Sequence, residues 1–196
     1  MNNISAVILT AVSLFVGTNI DDMVVLSVLN VSSKTQGSPR KWQIWTGQYV
    51  GVAGLTGLSL AAAAGLTILP TRWVWLLGFI PLTLGVVKLF AAIRDRRDGA
   101  PPRLLSATGL IGVIGLTISN GGDNLAAYTP IFRTMTTETL LVTLAVFAVL
   151  VAIWCWVAGL LVSHHKVTET VIRFGHWIIP VVYILIGLYV FYESSV

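Results

Sequence analysis

Thr18-Asn19-Ile20-Asp21-Asp22 and Ser119-Asn120-Gly121-Gly122-Asp123-Asn124 are two versions of one phrase, hydroxyl-Asn-x-x-Asp, each set inside an apolar run. A shift of 101 positions lays Thr18 on Ser119, Asn19 on Asn120 and Asp22 on Asp123. An ionised carboxylate is expensive in hydrocarbon, so acids inside membrane spans face a protein interior or a polar cavity and mark a functional path. Two matched copies predict two halves of the chain facing one shared polar site.

The surroundings of the motifs are those of a membrane protein. The 196 residues are 56% hydrophobic and 10% charged, and mean hydropathy is +0.86. A soluble domain carries roughly 25% charged residues. A span needs about 20 apolar residues. Six such runs are present, at 4–30, 43–68, 72–93, 105–130, 138–163 and 171–192. The expected fold is therefore an all-α polytopic membrane protein, one transmembrane domain over 1–196. No Lys or Arg precedes the first apolar run and no A-x-A-like site follows it, which reads as a retained span and not a signal peptide.

Basic residues set the expected orientation. With the N-terminus outside, Lys34, Arg40, Lys41, Lys88, Arg94, Arg96, Arg97, Arg103, Lys166 and Arg173 fall on the cytoplasmic side. Only Arg72 and Arg133 fall outside, a strong positive-inside asymmetry with both termini external. The net charge of +4 then reflects topology and contact with an anionic lipid bilayer. It excludes nucleic acid as a partner, because the basic residues are divided among short loops.

The charged, Gly/Pro-containing stretch 94–104 divides the chain into repeats of about 1–96 and 104–196, three spans each. An odd number of spans per half inverts the second relative to the first, a plan common among secondary transporters. Thr83-Leu84-Gly85-Val86 and Leu185-Ile186-Gly187-Leu188, 102 positions apart, weakly support the repeat. Gly, Asn and Asp favour non-helical backbone, so the first and fourth helices are expected to break at the motifs. Freed carbonyls at membrane depth are tolerated where they line a cavity. Small residues Gly51, Gly54, Gly57, Ala61 and Gly65 along the second span would let helix backbones approach closely. Pro130 is expected to stop or kink the fourth span.

Asp21, Asp22 and Asp123 are the only acids well inside the spans, and Asn19, Asn120 and Asn124 add amide oxygens. Thr18 and Ser119 are secondary candidates through their hydroxyls. This oxygen-rich set suits a divalent metal ion such as Ca²⁺, Mn²⁺ or Cd²⁺. Cys155, the single cysteine, is another secondary candidate, as a soft ligand or simply a buried small side chain. His164, His165 and His176 read as interfacial, and Lys88 as a snorkelling residue. No permanent cofactor is implied, and a homodimer is compatible with six short-looped spans that enclose little volume.

At these residues the chain resembles the cadmium-resistance transporter family, within the superfamily that contains the lysine exporters. The resemblance is carried by Asn19-Ile20-Asp21-Asp22 and by Asn120-Gly121-Gly122-Asp123-Asn124 followed by Tyr128-Thr129-Pro130-Ile131-Phe132, and it extends over essentially the whole chain. It implies efflux of Cd²⁺ or related divalent metals (Zn²⁺, Mn²⁺ or Ca²⁺) from a bacterial cytoplasm, with Asp21, Asp22 and Asp123 as the motif acids. The expected activity is secondary metal export, with proton exchange at a carboxylate driving release; no nucleotide-binding motif supports ATP hydrolysis. Two alternatives stand beside it. One is an exporter of an amino acid or other organic cation, with the acids binding an ammonium group. The other is an intramembrane aspartyl protease, which also needs two acids on different spans.

Overall fold

The computed structural model describes residues 4–66 and 108–161, with isolated positions between 79 and 94 and between 181 and 188. The expected third and sixth spans, the linker 94–104, Lys88 and the three histidines lie outside the described residues or nearly so. Among the described residues the structure is helical and has no strand. We number the helices α1 (Ile4–Gln36), α2 (Lys41–Gly65), α3 (Gly109–Asn120), α4 (Gly122–Thr134) and α5 (Thr137–Leu161).

α1 and α5 are long and apolar enough to cross a membrane. With 33 residues, α1 extends for roughly 50 Å, well beyond a hydrocarbon core of about 30 Å. It ends at Gly37, whose φ of +72° is the left-handed conformation that glycine adopts most readily after a helix. α2 starts with Arg40 N–H donating to Gln43 Oε1 at 2.8 Å. The side chain at the third helical position thus satisfies a backbone donor that the helix leaves open.

One expectation fails outright: the first helix is not broken at its motif. α1 runs through residues 18–22 without interruption. The polar side chains are accommodated by bonding back along the helix. Thr18 Oγ1 donates to Leu14 O at 2.9 Å and Asn19 Nδ2 to Phe15 O at 2.9 Å. Such i−4 bonds satisfy a hydroxyl or amide without releasing backbone groups. Where the second copy has two glycines, the first has Ile20-Asp21, which adds no flexible residue.

The second copy does interrupt its helix. Gly121 separates α3 from α4, its N–H bonding Ile118 O at 3.1 Å before Leu125 N–H resumes the helix on Gly121 O. The glycine is needed for space. Its φ of −87° suits any residue, but a Cβ there would run into the side chain of Leu55. Pro130 does not end α4, which continues to Thr134.

Packing joins the two halves of the sequence. α1 lies chiefly along α5, and α2 lies along α3 and α4. The glycines of α2 divide into two groups. A Cβ on Gly47 or Gly51 would stand 2.5 Å from Val113 or Thr117 of α3, whereas Gly57 and Gly65 face open space. The stripe read from sequence is therefore half right, and Gly47 belongs to the contact. Between α1, α4 and α5 sits an aromatic cluster. Phe15 stands edge-on to Phe147 (5.3 Å) and to Trp154 (5.5 Å), and Tyr128 packs 4.9 Å from Phe147. The outer faces are apolar, as with Ile111 (86% exposed), Leu141 and Trp156. An apolar exterior around buried Thr, Asn, Gln and Asp is the arrangement expected in lipid.

Candidate functional site

Asp22 is the most deeply placed acid among the described residues, 4% exposed in the middle of α1. Its oxygens accept hydrogen bonds from both halves of the chain. Gln48 Nε2 on α2 donates to Oδ2 at 2.9 Å, and Asn120 Nδ2, the last residue of α3, donates to Oδ1. Gln48 is in turn held by Thr117 Oγ1, which donates to its Oε1 at 2.8 Å. The cluster Asp22, Asn120, Gln48 and Thr117 thus collects carboxylate, amide and hydroxyl oxygens beside the end of α3. The amide N–H groups of Gln48 and Asn120 both face the carboxylate, and the C-terminus of α3, which carries partial negative charge, lies beside them.

A second cluster lies along the same helix and is satisfied within itself. Asn19 Nδ2 reaches Thr18 Oγ1 and Tyr128 Oη at 2.9 Å each, and Asn124 Nδ2 donates to Asn19 Oδ1 at 3.0 Å. Thr18 Oγ1 and Tyr128 Oη are 3.0 Å apart. From α5, Trp154 Nε1 donates to the backbone carbonyl of Asn19 at 2.7 Å. Thr18, Asn19, Asn124 and Tyr128 are all buried. This cluster fastens α1 to α4 and α5.

The residues singled out from sequence are thus divided. Asp22 and Asn120 meet in the first cluster; Thr18, Asn19 and Asn124 meet in the second. Asp21 is half-buried, and its Oδ1 accepts the Asp22 backbone N–H at 3.0 Å. Asp123 is half-buried in the first turn of α4, where the positive end of the helix dipole favours a carboxylate. Ser119 is exposed and bonds its own helix at Leu116 O (2.9 Å). Cys155 is buried on α5 as a free thiol next to Trp154. Among the described residues, no three His, Cys, Asp or Glu side chains form a group able to hold a metal ion.

Gln48, Thr117 and Trp154 are not among the residues singled out from sequence, and Tyr128 enters there only as part of the stretch that carries the family resemblance. Gln48 had a legible signal: it is a strongly polar side chain within the apolar run 43–68. Thr117 and Trp154 had none, because Thr and Trp are ordinary residues of membrane helices.

Comparison with known proteins agrees with this picture. No curated protein and no solved structure matched the chain. The family model described as cadmium resistance transporter matches residues 15–196, which take in α1 from Phe15 onward, the other four helices and both motifs. With apolar helices, buried polar clusters and a match over nearly its whole length, the chain belongs to the cadmium resistance transporter family.

Proposed function

We propose that the chain is a secondary-active exporter of a divalent heavy-metal cation, Cd²⁺ first among them, across the bacterial cytoplasmic membrane. The observation that carries this reading is Asp22, a buried carboxylate held by Gln48 and Asn120 at the helix break. Burying a carboxylate is costly, and a transported cation offsets that cost. The family supplies metal resistance as the context. Asp21, next to Asp22 in sequence, and Asp123, three residues after Asn120, are both half-buried and would attract and hand over the ion on its way to and from Asp22.

In this reading the two three-span halves form an inverted repeat with both termini outside. Packing supports one seam, between α1 with α5 on one side and α2 with α3 on the other, with α4 packed on α2 and hydrogen-bonded to α1. Asp22 lies on the first body and its amide partners on the second, so the ion binds at the seam that must open. Alternating access exposes the seam first to the cytoplasm and then outside. Protons that replace the metal at Asp22 complete the exchange cycle.

The test is efflux from liposomes containing purified protein, with Cd²⁺, Zn²⁺, Mn²⁺ and Ca²⁺ each offered with and without a pH gradient. The expected result is transport of at least one metal, abolished by Asp22→Asn in protein that still folds in detergent. Transport unaffected by Asp22→Asn would sink the assignment. Lysine transport with no metal transport would instead indicate an organic-cation exporter.

A further inference from the structure

Gln48 stands outside both motifs, yet it holds Asp22 from α2. It is 2% exposed, and its amide faces two partners at once. Nε2 donates to Asp22 Oδ2 at 2.9 Å, and Oε1 accepts from Thr117 Oγ1 at 2.8 Å. The Thr117 hydroxyl has one proton but two acceptors, because Val113 O lies 3.0 Å away on the preceding turn. The bare backbone of Gly47 and Gly51 brings α3 close enough for this contact, since a Cβ on Gly51 would stand 2.5 Å from Thr117 Cγ2.

This relay can be written in two forms, the second of which is satisfied only when a cation bridges Gln48 Oε1 and Asp22 Oδ2. In the first, Thr117 donates to Gln48 Oε1 and Gln48 donates to Asp22. In the second, the amide is turned by half a rotation: Nε2 donates to Thr117 Oγ1, whose proton goes to Val113 O. Gln48 Oε1 then stands beside Asp22 Oδ2. The first form presents a hydrogen-bond donor to the carboxylate. The second presents two oxygens side by side, the pairing a divalent cation requires. An amide ligates a cation through its oxygen and not its N–H, so Gln48 must turn its nitrogen away from Asp22 before it can join the metal's shell. Without the second acceptor at Val113, the turned amide would find Thr117 still directing its proton toward Gln48.

We propose that Gln48 is a cargo ligand of the Asp22 site, exchanging amide nitrogen for amide oxygen when a divalent cation arrives, with Thr117 as the positioning residue that receives the displaced nitrogen. This rests on the exporter reading above. Gln48 thereby contributes a neutral oxygen that helps set which metal is accepted, and Thr117 touches no metal itself.

The test uses the full chain purified in detergent, titrated with Cd²⁺ by calorimetry and followed by difference infrared spectroscopy of side-chain amides. Gln48→Leu is expected to weaken Cd²⁺ binding by roughly 10- to 100-fold, and Thr117→Val by about 10-fold, as for ligands and their supporting shell. Thr117→Ser keeps the hydroxyl and should bind as the wild type does. One amide carbonyl band should shift on Cd²⁺ addition in the wild type and in Thr117→Ser, and be absent from the Gln48→Leu spectrum. Should Gln48→Leu not fold, Gln48→Glu serves: it keeps an oxygen ligand, and it should bind Cd²⁺ at least as tightly while losing the amide band. Wild-type affinity in Gln48→Leu overturns the proposal, even if its melting temperature is lowered, because that is the mark of a purely structural role. Weakened binding in Gln48→Glu also overturns it. A wild type that binds none of Cd²⁺, Zn²⁺, Mn²⁺ and Ca²⁺ overturns the exporter reading, and this proposal with it.

Discussion

Gly121→Ala tests whether the helix break is set by packing or by backbone freedom. The dihedral angles of Gly121, φ −87° and ψ 15°, are open to alanine. Alanine would even help by restricting the unfolded chain, by about 0.4–1 kcal/mol. Against this, its Cβ would collide with the Leu55 side chain, meeting Cδ1 and standing 2.7 Å from Cδ2 and 2.9 Å from Cγ. Leu55 is itself buried and has little room to turn away. Overpacking of this kind costs roughly 1–3 kcal/mol, so the net loss should be about 1–2 kcal/mol after the alanine gain.

Leu55→Ala separates the two explanations. Alone it should cost about 2–5 kcal/mol through the lost side chain and the cavity left behind. In that background the clash is gone, so adding Gly121→Ala should leave only the backbone gain, a stabilisation of about 0.4–1 kcal/mol. The coupling energy from the double-mutant cycle should equal the clash cost, the loss seen in Gly121→Ala alone plus the alanine gain, roughly 1–3 kcal/mol. The assay is equilibrium unfolding in mixed detergent micelles, followed by tryptophan fluorescence. Additivity of the two changes within about 0.5 kcal/mol would refute the steric account and return the break to glycine's flexibility.

Two further changes bear on the polar clusters. Tyr128→Phe removes the hydroxyl that Asn19 and Thr18 share; at about 0.6 kcal/mol per hydrogen bond between membrane helices, the same unfolding assay should show a loss near 1 kcal/mol, and a stability equal to wild type would show the cluster to be inert. Ser119→Ala should change stability by less than about 0.5 kcal/mol and leave liposome efflux intact, since Ser119 is exposed and bonds only its own turn among the contacts described; a loss of transport would return it to the site.

The helices were legible where apolar length alone decides them. Runs read at 4–30, 43–68 and 138–163 became α1, α2 and α5, and 105–130 became the α3–α4 pair. α1 outruns its apolar stretch because Ser32, Ser33, Lys34 and Thr35 continue the helix past the last hydrophobic residue. What could not be read was which polar residues would meet. The repeat pairs Asn19 with Asn120, yet Asn120 bonds Asp22 whereas Asn19 bonds Tyr128 and Asn124. Sequence position gives the helix on which a side chain sits. Its neighbours depend on how that helix is rotated and how closely the next one approaches, which here depends on Gly47, Gly51 and Gly121.

The failure of the symmetric expectation explains the form of the site. Had both copies of the motif broken their helices, two sets of free helix ends would face each other. Instead, the first copy keeps its backbone closed by directing Thr18 and Asn19 to carbonyls one turn back, and it brings only side chains to the interior. The second copy opens its backbone at Gly121 and brings a helix end with Asn120 upon it. The first half therefore contributes Asp22 together with Gln48, and the second contributes Asn120, Thr117 and the helix ends at Gly121. In the proposed exchange cycle a carboxylate on a continuous helix would keep its place while Gln48 and Asn120 rearrange around it. That division lets neutral groups move around a buried charge without moving the charge itself through hydrocarbon, which would be far more costly.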